Sequence, residues 1–227
     1  MDLSKVYVLI TAYNEETLIG HVLTDLQRAF QHIVVIDDCS EDTTGEVARE
    51  HGAVVIRHPI NLGQGAALQT GITYICGTDA TAVVTFDADG QHRVEDAVTL
   101  ATAVLRDEAD VVCGSRFLTL KSATMPRLKF VVLKMAAIFT RITTGVRVTD
   151  AHNGLRAIAI ASAAKLEITQ NRMAHASEII DLIKKNGLRY KEYPVVIQYT
   201  AYSINKGQKI TNAINILIDL IFKGLTK

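Results

Sequence analysis

The chain has 227 residues, 48% apolar and 21% charged with only three prolines, which permits a substantial core and excludes a disordered or fibrous protein. Its 24 basic and 24 acidic side chains cancel, so it lacks the basic excess with which general nucleic-acid binders gather phosphates, and no nucleic-acid partner is expected. Cys39, Cys76 and Cys113 are widely spaced without a Cys-x-x-Cys pair, a pattern of reduced thiols in a cytoplasmic setting rather than of a sulfur-rich zinc site.

Residues 1–5 lack the basic region, long apolar core and cleavage site of a secretory signal and run straight into an apolar, β-branched stretch at 6–10. A helical pattern through Leu18, Val22, Leu26 and Phe30 follows. The cycle repeats, with strands expected at 33–36, 53–57, 82–86 and 111–114 and helices near 43–51, after Gly65 and at 94–105. These strands read as continuous apolar runs, as a sheet covered on both faces requires. They predict an α/β fold with an open, mostly parallel sheet and helices on both faces; a closed eight-fold barrel needs about 250 residues and more units. Ligands of such sheets bind outside the carboxyl ends of the strands, where this chain gathers polar residues at 11–16, 37–38, 61–65, 87–92 and 115–116.

Beyond residue 116 the rhythm changes. An amphipathic helix is expected at 127–143, with apolar Phe130, Val131, Leu133, Ala137 and Ile138 and basic Lys129, Lys134 and Arg141. A strand at 155–160 and a helix at 175–185, stopped by Asn186-Gly187, come next. Pro194 marks the strand expected at 189–199 as an edge or a break. A last helix at about 209–222 places Ile210, Ile214, Leu217, Ile218 and Ile221 on one stripe, open to pairing with a second copy or to a membrane surface. Lys129, Lys134, Arg141 and Asp219 interrupt the longest apolar runs, so none reaches the roughly 20 residues of a bilayer span and any membrane contact is expected to be peripheral. With no repeat or linker, residues 1–208 read as one domain and 209–227 as an amphipathic C-terminal extension.

Asp87-Ala88-Asp89 closes the apolar run at 82–86. Two carboxylates flanking one small residue at a strand end suit a hard cation, Mg²⁺ or Mn²⁺, shared with phosphates; as solvated acids they would merely cap the next helix. Gly90-Gln91-His92 extends that wall with polar donors. Asp37-Asp38-Cys39-Ser40 stands where many α/β proteins receive a nucleoside, although Ser40 or Asp42 could equally cap a helix. The first loop, Thr11-Ala12-Tyr13-Asn14-Glu15-Glu16, carries no Gly-x-Gly-x-x-Gly fingerprint, which disfavours hydride transfer. Asn61-Leu62-Gly63-Gln64-Gly65 lacks the Gly-Lys-Ser/Thr ending of a phosphate loop; it reads as a helix-starting turn, or as backbone lying against a base or ribose. Asp150 is a candidate base for a hydroxyl acceptor, whereas a phosphate acceptor needs no base and calls for cations such as Arg116, Arg156, Lys206 or Lys209.

Taken in order, the loops at 11–16, 37–43, 61–65 and 87–92, Gly114-Ser115-Arg116 and Asn153-Gly154-Leu155-Arg156-Ala157 resemble the successive signatures of family 2 glycosyltransferases, most of all the polyprenyl-phosphate sugar synthases. The resemblance spans about residues 6–160. It implies a nucleotide-sugar transferase fold of GT-A type, an inverting transfer from a UDP- or GDP-sugar to a lipid-linked acceptor, and a divalent ion. Carried onto this sequence, Ala12, Tyr13, Glu15, Asp38 and the supporting Asp37 form the nucleoside wall, together with Gly65, while Asp87 and Asp89 hold the metal beside Ala88. Gln91, Arg116, Arg156 and Asp150 face the reaction, in an acceptor region beginning near residue 116. The synthases often carry Arg-x-x-Gly-x-Ser-Lys, but this chain has Tyr199 to Lys209 there, with Lys206 as the candidate to take over part of that charge. Transfer to a hydroxyl of a lipid-linked or cell-surface polysaccharide, and non-catalytic binding of a nucleotide sugar, remain the alternatives. The expected location is cytoplasmic, peripheral on the membrane face.

Overall fold

The computed structural model describes residues 2–119, 127–171 and 174–198. Alternating elements fill the first half: β1 (Val6–Ala12), α1 (Glu16–Leu26), β2 (His32–Asp37), α2 (Thr44–Glu50), β3 (Val54–Arg57), α3 (Gln64–Cys76), β4 (Ala82–Asp87), α4 (Val94–Leu105) and β5 (Val111–Ser115). α5 (Arg127–Thr144), β6 (Arg156–Ala159), α6 (Ile160–Ala163), α7 (His175–Lys185) and β7 (Tyr190–Pro194) follow. The strands form one sheet of order β3-β2-β1-β4-β6-β5-β7.

The two faces of β1 show why its run is apolar throughout. Val8 and Ile10 pack with Ile19, Leu23 and Leu26 of α1 and with Leu100 and Ala101 of α4. Leu9 points the other way, into a second core with Leu68, Ile72 and Ile75 of α3 and Ile179, Ile180 and Ile183 of α7. Each fully buried Ile or Leu contributes about 2 kcal/mol relative to an exposed one, so polar alternation on either face is selected against.

Every neighbouring pair in the sheet is parallel except those made by β6, which runs antiparallel between β4 and β5 with Arg156 opposite both Thr85 and Cys113. This reversal brings the beginning of β6, rather than its end, to the carboxyl ends of the other strands. Residues 152–156 are thereby delivered to the polar edge.

Most boundaries agree with the sequence pattern to within two residues. The strand expected to 160 stops at Ala159, because the Ile160 N–H donates to Thr81 O and starts the short α6, which the sequence did not announce. β7 is the edge strand and ends at Pro194. Its expected continuation leaves the ladder: the N–H groups of Val196 and Gln198 donate instead to Asp96 Oδ2 and Gln91 O. The helix expected at 209–222 and Lys206 lie outside the described residues. Among the described residues, no helix is long and apolar enough to cross a membrane.

Candidate active site

A cavity of about 340 Å³ opens at the carboxyl ends of β1, β2 and β4. Ala12, Tyr13, Glu15 and Asp38 line one end of it. Side chains stitch the loops after β1 and β2 together: Asn14 N donates to Ser40 Oγ at 3.0 Å, and Glu15 N to Thr44 Oγ1 at 2.7 Å. Of the two capping candidates, Asp42 accepts the Thr44 N–H at the start of α2, while Ser40 serves the first loop. Asp38 is 4% exposed and clamps the following loop, accepting from Leu62 N at 2.9 Å and Gly63 N at 2.7 Å and pairing with His58 Nδ1 at 2.7 Å.

Two residues expected at this wall stand behind it. Asp37 is fully buried, accepts the Ser40 N–H at 2.8 Å and does not line the cavity. It supports the loop that carries Asp38. Gly65 is also absent from the lining; its N–H donates to Asn171 O, and a Cβ there would come 1.8 Å from Gln170 O. The glycine is required because the segment before α7 crosses directly over it.

Asp87, Ala88, Asp89 and Gln91 line the middle of the cavity. Asp87 Oδ2 pairs with His92 Nε2 at 2.8 Å. The Gly154 backbone lies so close that a Cβ would meet Asp87 Oδ2 at 2.2 Å. Burial would raise the Asp87 carboxyl, but the His92 hydrogen bond and the charges of His92, Arg156 and His175 outweigh it and hold the group below the usual carboxylate range. Asp89 goes the opposite way, pushed up to about 6 by burial and by the neighbouring Asp87 charge. Gln91 holds it in place, its backbone N–H donating to Asp89 Oδ1 at 3.0 Å and its amide to Oδ2. A buried acid that resists ionising beside an ionised neighbour fits a cation, and both donors are hard oxygens of the kind Mg²⁺ and Mn²⁺ take. Among the described residues no cluster of three or more protein ligands exists.

The far end is basic. Arg116 and Arg156 line it, 8% and 2% exposed. Asp150 does not line the cavity: its Oδ2 accepts from Arg116 Nε at 2.6 Å and from Arg116 N at 3.1 Å. Asp150 thus anchors Arg116 and stands off the cavity lining, although the sequence offers it as a candidate base. His152 and His175 also line this end. Burial drives His152 down to about 4, with Arg156, Arg116 and His175 adding to the effect and Asp150 opposing it. His175, at the start of α7, carried no local signal; distant helices must pack before it reaches the cavity.

Solved structures share this architecture. Glucosyl-3-phosphoglycerate synthase from Mycobacterium tuberculosis, in complex with phosphoglyceric acid, matches with a TM-score of 0.73 at 19% identity, over 96% of this chain and 80% of that one. Its complex with Mn²⁺, uridine diphosphate and glucosyl-3-phosphoglycerate matches at 0.70. The fold is of GT-A type. The model of glycosyl transferase family 2 covers residues 7–158, and the chain belongs to that family: it is a glycosyltransferase. An uncharacterized protein of Methanocaldococcus jannaschii is 36% identical over 97% of this chain and 93% of its own length. The UDP-N-acetylglucosamine–dolichyl-phosphate N-acetylglucosaminyltransferase of Methanococcus voltae is 30% identical over 98% of this chain and 97% of its length. The dolichyl-phosphate hexose transferase of Haloferax volcanii is 32% identical over 83% and 80%.

Proposed function

We propose that the protein transfers a sugar from a UDP-sugar to a polyprenyl phosphate with inversion at the anomeric carbon. One observation carries the choice of acceptor: Asp150, the carboxylate that would deprotonate a hydroxyl, is held by Arg116 and stands off the cavity, while Arg116 and Arg156 line it. His152, driven down to about 4, is a poor base at neutral pH. A phosphate acceptor is already ionised and needs cations instead of a base. The relatives from Methanococcus voltae and Haloferax volcanii are named for transfer to dolichyl phosphate, and the first of them for a UDP-linked donor.

In this reading Tyr13 and Asp38 receive the nucleoside, and Asp87 and Asp89 hold Mn²⁺ or Mg²⁺. When bound, that ion supplies positive charge to the departing diphosphate. Arg116 and Arg156 hold the acceptor phosphate, one oxygen of which attacks the anomeric carbon as the bond from that carbon to the diphosphate oxygen breaks. The electron pair leaves on the nucleoside diphosphate and no proton is removed.

α5 forms the acceptor side of the cavity through Leu133, while Val131, Met135, Ile138 and Ile142 on its outer face are all at least half exposed. Their i, i+4, i+7, i+11 spacing makes a single stripe, with Lys134 and Arg141 on the same helix for anionic headgroups. The reading thus places the enzyme peripherally on a membrane surface, where its lipid acceptor resides.

The full chain, incubated with Mn²⁺, a panel of UDP- and GDP-sugars and a detergent-dispersed polyprenyl phosphate, is expected to yield a polyprenyl-phosphate sugar by mass spectrometry. Transfer confined to hydroxyls of a lipid-linked oligosaccharide would overturn the acceptor assignment. Donor binding without turnover on any acceptor would make the protein a binding protein.

A further inference from the structure

We infer that Glu192, on the edge strand and outside the cavity, is a positioning residue that sets Arg116 for the acceptor phosphate. The inference rests on the acceptor role proposed for Arg116. Glu192 gathers one stretch of backbone: Thr149 N donates to Oε1 at 2.8 Å and to Oε2 at 3.0 Å, and Asp150 N donates to Oε1 at 3.1 Å. The Thr149 hydroxyl adds a bond to Oε2 at 2.7 Å, and the Tyr190 hydroxyl one to Oε1 at 2.9 Å. Burial, followed by the Cys113 and Glu192 charges, pushes the Tyr190 phenol up, so it stays a donor.

Two routes lead from this clamp to Arg116. Asp150, whose backbone Glu192 fixes, binds Arg116 through both Nε and the backbone N–H. Thr149 Oγ1 lies 2.7 Å from Ser115 Oγ, which accepts the Phe117 N–H at 3.2 Å, so the residues on both sides of Arg116 are tied to the same loop. Each group that meets Glu192 is a donor, which is why a carboxylate is needed: an amide would turn its own N–H₂ toward N–H and O–H groups. Asp in its place would be one methylene too short to reach the loop from β7.

The test is a double-mutant cycle between Glu192→Gln and Arg116→Ala, reading the affinity of the full chain for farnesyl phosphate by calorimetry and the affinity for UDP as a control. Glu192→Gln is expected to weaken farnesyl phosphate about tenfold, roughly the worth of one hydrogen bond to a charged group, with UDP unchanged. In the Arg116→Ala background the same change is expected to add nothing, since coupled residues are non-additive. Losses that multiply, or a folded Glu192→Gln protein with normal affinity beside a defective Arg116→Ala, would overturn the positioning role. An Arg116→Ala protein that binds farnesyl phosphate normally would instead remove the acceptor reading on which it depends. Should Glu192→Gln not fold, Thr149→Val removes only the hydroxyl bridge, and a loss of about threefold is expected by the same route.

Discussion

Arg116 Nε and Asp150 Oδ2 stand 2.6 Å apart in a buried ion pair, their side chains 8% and 1% exposed. The pair ties the Asp150 carboxylate to Arg116 through Oδ2. Asp150→Asn is expected to lose about 3 kcal/mol of folding stability by removing the charge that pairs with the buried Arg116 Nε. Its residual activity should keep the wild-type pH–rate profile. Urea unfolding and rates across pH check both parts; an unchanged stability with a lost acid limb would restore Asp150 as a base.

With Asp89 as a proposed metal ligand, the effect of the metal is expected to depend on pH. Its folded-state carboxyl is raised from 3.8 to about 6, so between these values the native chain holds a proton that the unfolded chain has released. The metal-free protein is therefore expected to lose stability from this group as pH rises through about 6, and a bound cation to restore it. Melts with and without Mn²⁺ should show a larger metal-induced rise at about pH 7.5 than at about pH 5, and Asp89→Asn should erase the difference.

Two glycines with close neighbours are expected to fail differently. At Gly154 a Cβ would meet Asp87 Oδ2 at 2.2 Å, displacing the carboxylate proposed to hold the metal, so Gly154→Ala should lower turnover about 100-fold, comparable to removing one well-placed electrostatic group, and weaken Mn²⁺. At Gly65 the clash is with the Gln170 carbonyl at 1.8 Å, behind the wall. Gly65→Ala should lose stability by about 2 kcal/mol before it affects the chemistry of whatever folds. Parallel measurement of melting temperature and turnover separates the two.

His152 gives an opposite pH signature to Asp89. Its ring is depressed from 6.5 to about 4, so below about pH 6.5 the unfolded chain takes up a proton that the native chain refuses. Its contribution is complete above that value and lost as pH falls toward 4. His152→Gln should flatten this part of the stability profile relative to wild type, and equal slopes in the two proteins would show that the imidazole ionises freely in the fold.

The residues read as a nucleoside wall and as an acid pair meet at one cavity because each stands on a short loop directly after an apolar strand. Asp87 and Asp89 need only the end of β4 to be placed, and Ala12, Tyr13 and Asp38 only the ends of β1 and β2. Asp37 stands behind the wall because adjacent residues at a strand end face opposite sides, and Gly65 because the first turn of α3 lies under residues 170–171; sequence proximity does not say which side is open. Nothing near Glu192 in the sequence marks it; its partners Thr149 and Asp150 are more than 40 residues away.

By itself, the sequence determined the fold class, the order of strands and helices along the chain apart from the short α6, the acid pair at Asp87 and Asp89 and, through the succession of its loops, the glycosyltransferase family. Those features are local: a buried parallel strand requires a continuous apolar run, and its carboxyl end is the place for polar groups. The tertiary structure decided the basic group beside the cavity. Only the antiparallel insertion of β6 carries Arg156 and His152 to that edge, and only the approach of the 149–150 loop to β5 and β7 sets Asp150 against Arg116. Contacts between segments so far apart in the chain depend on strand order and direction, which no periodicity in a single segment encodes.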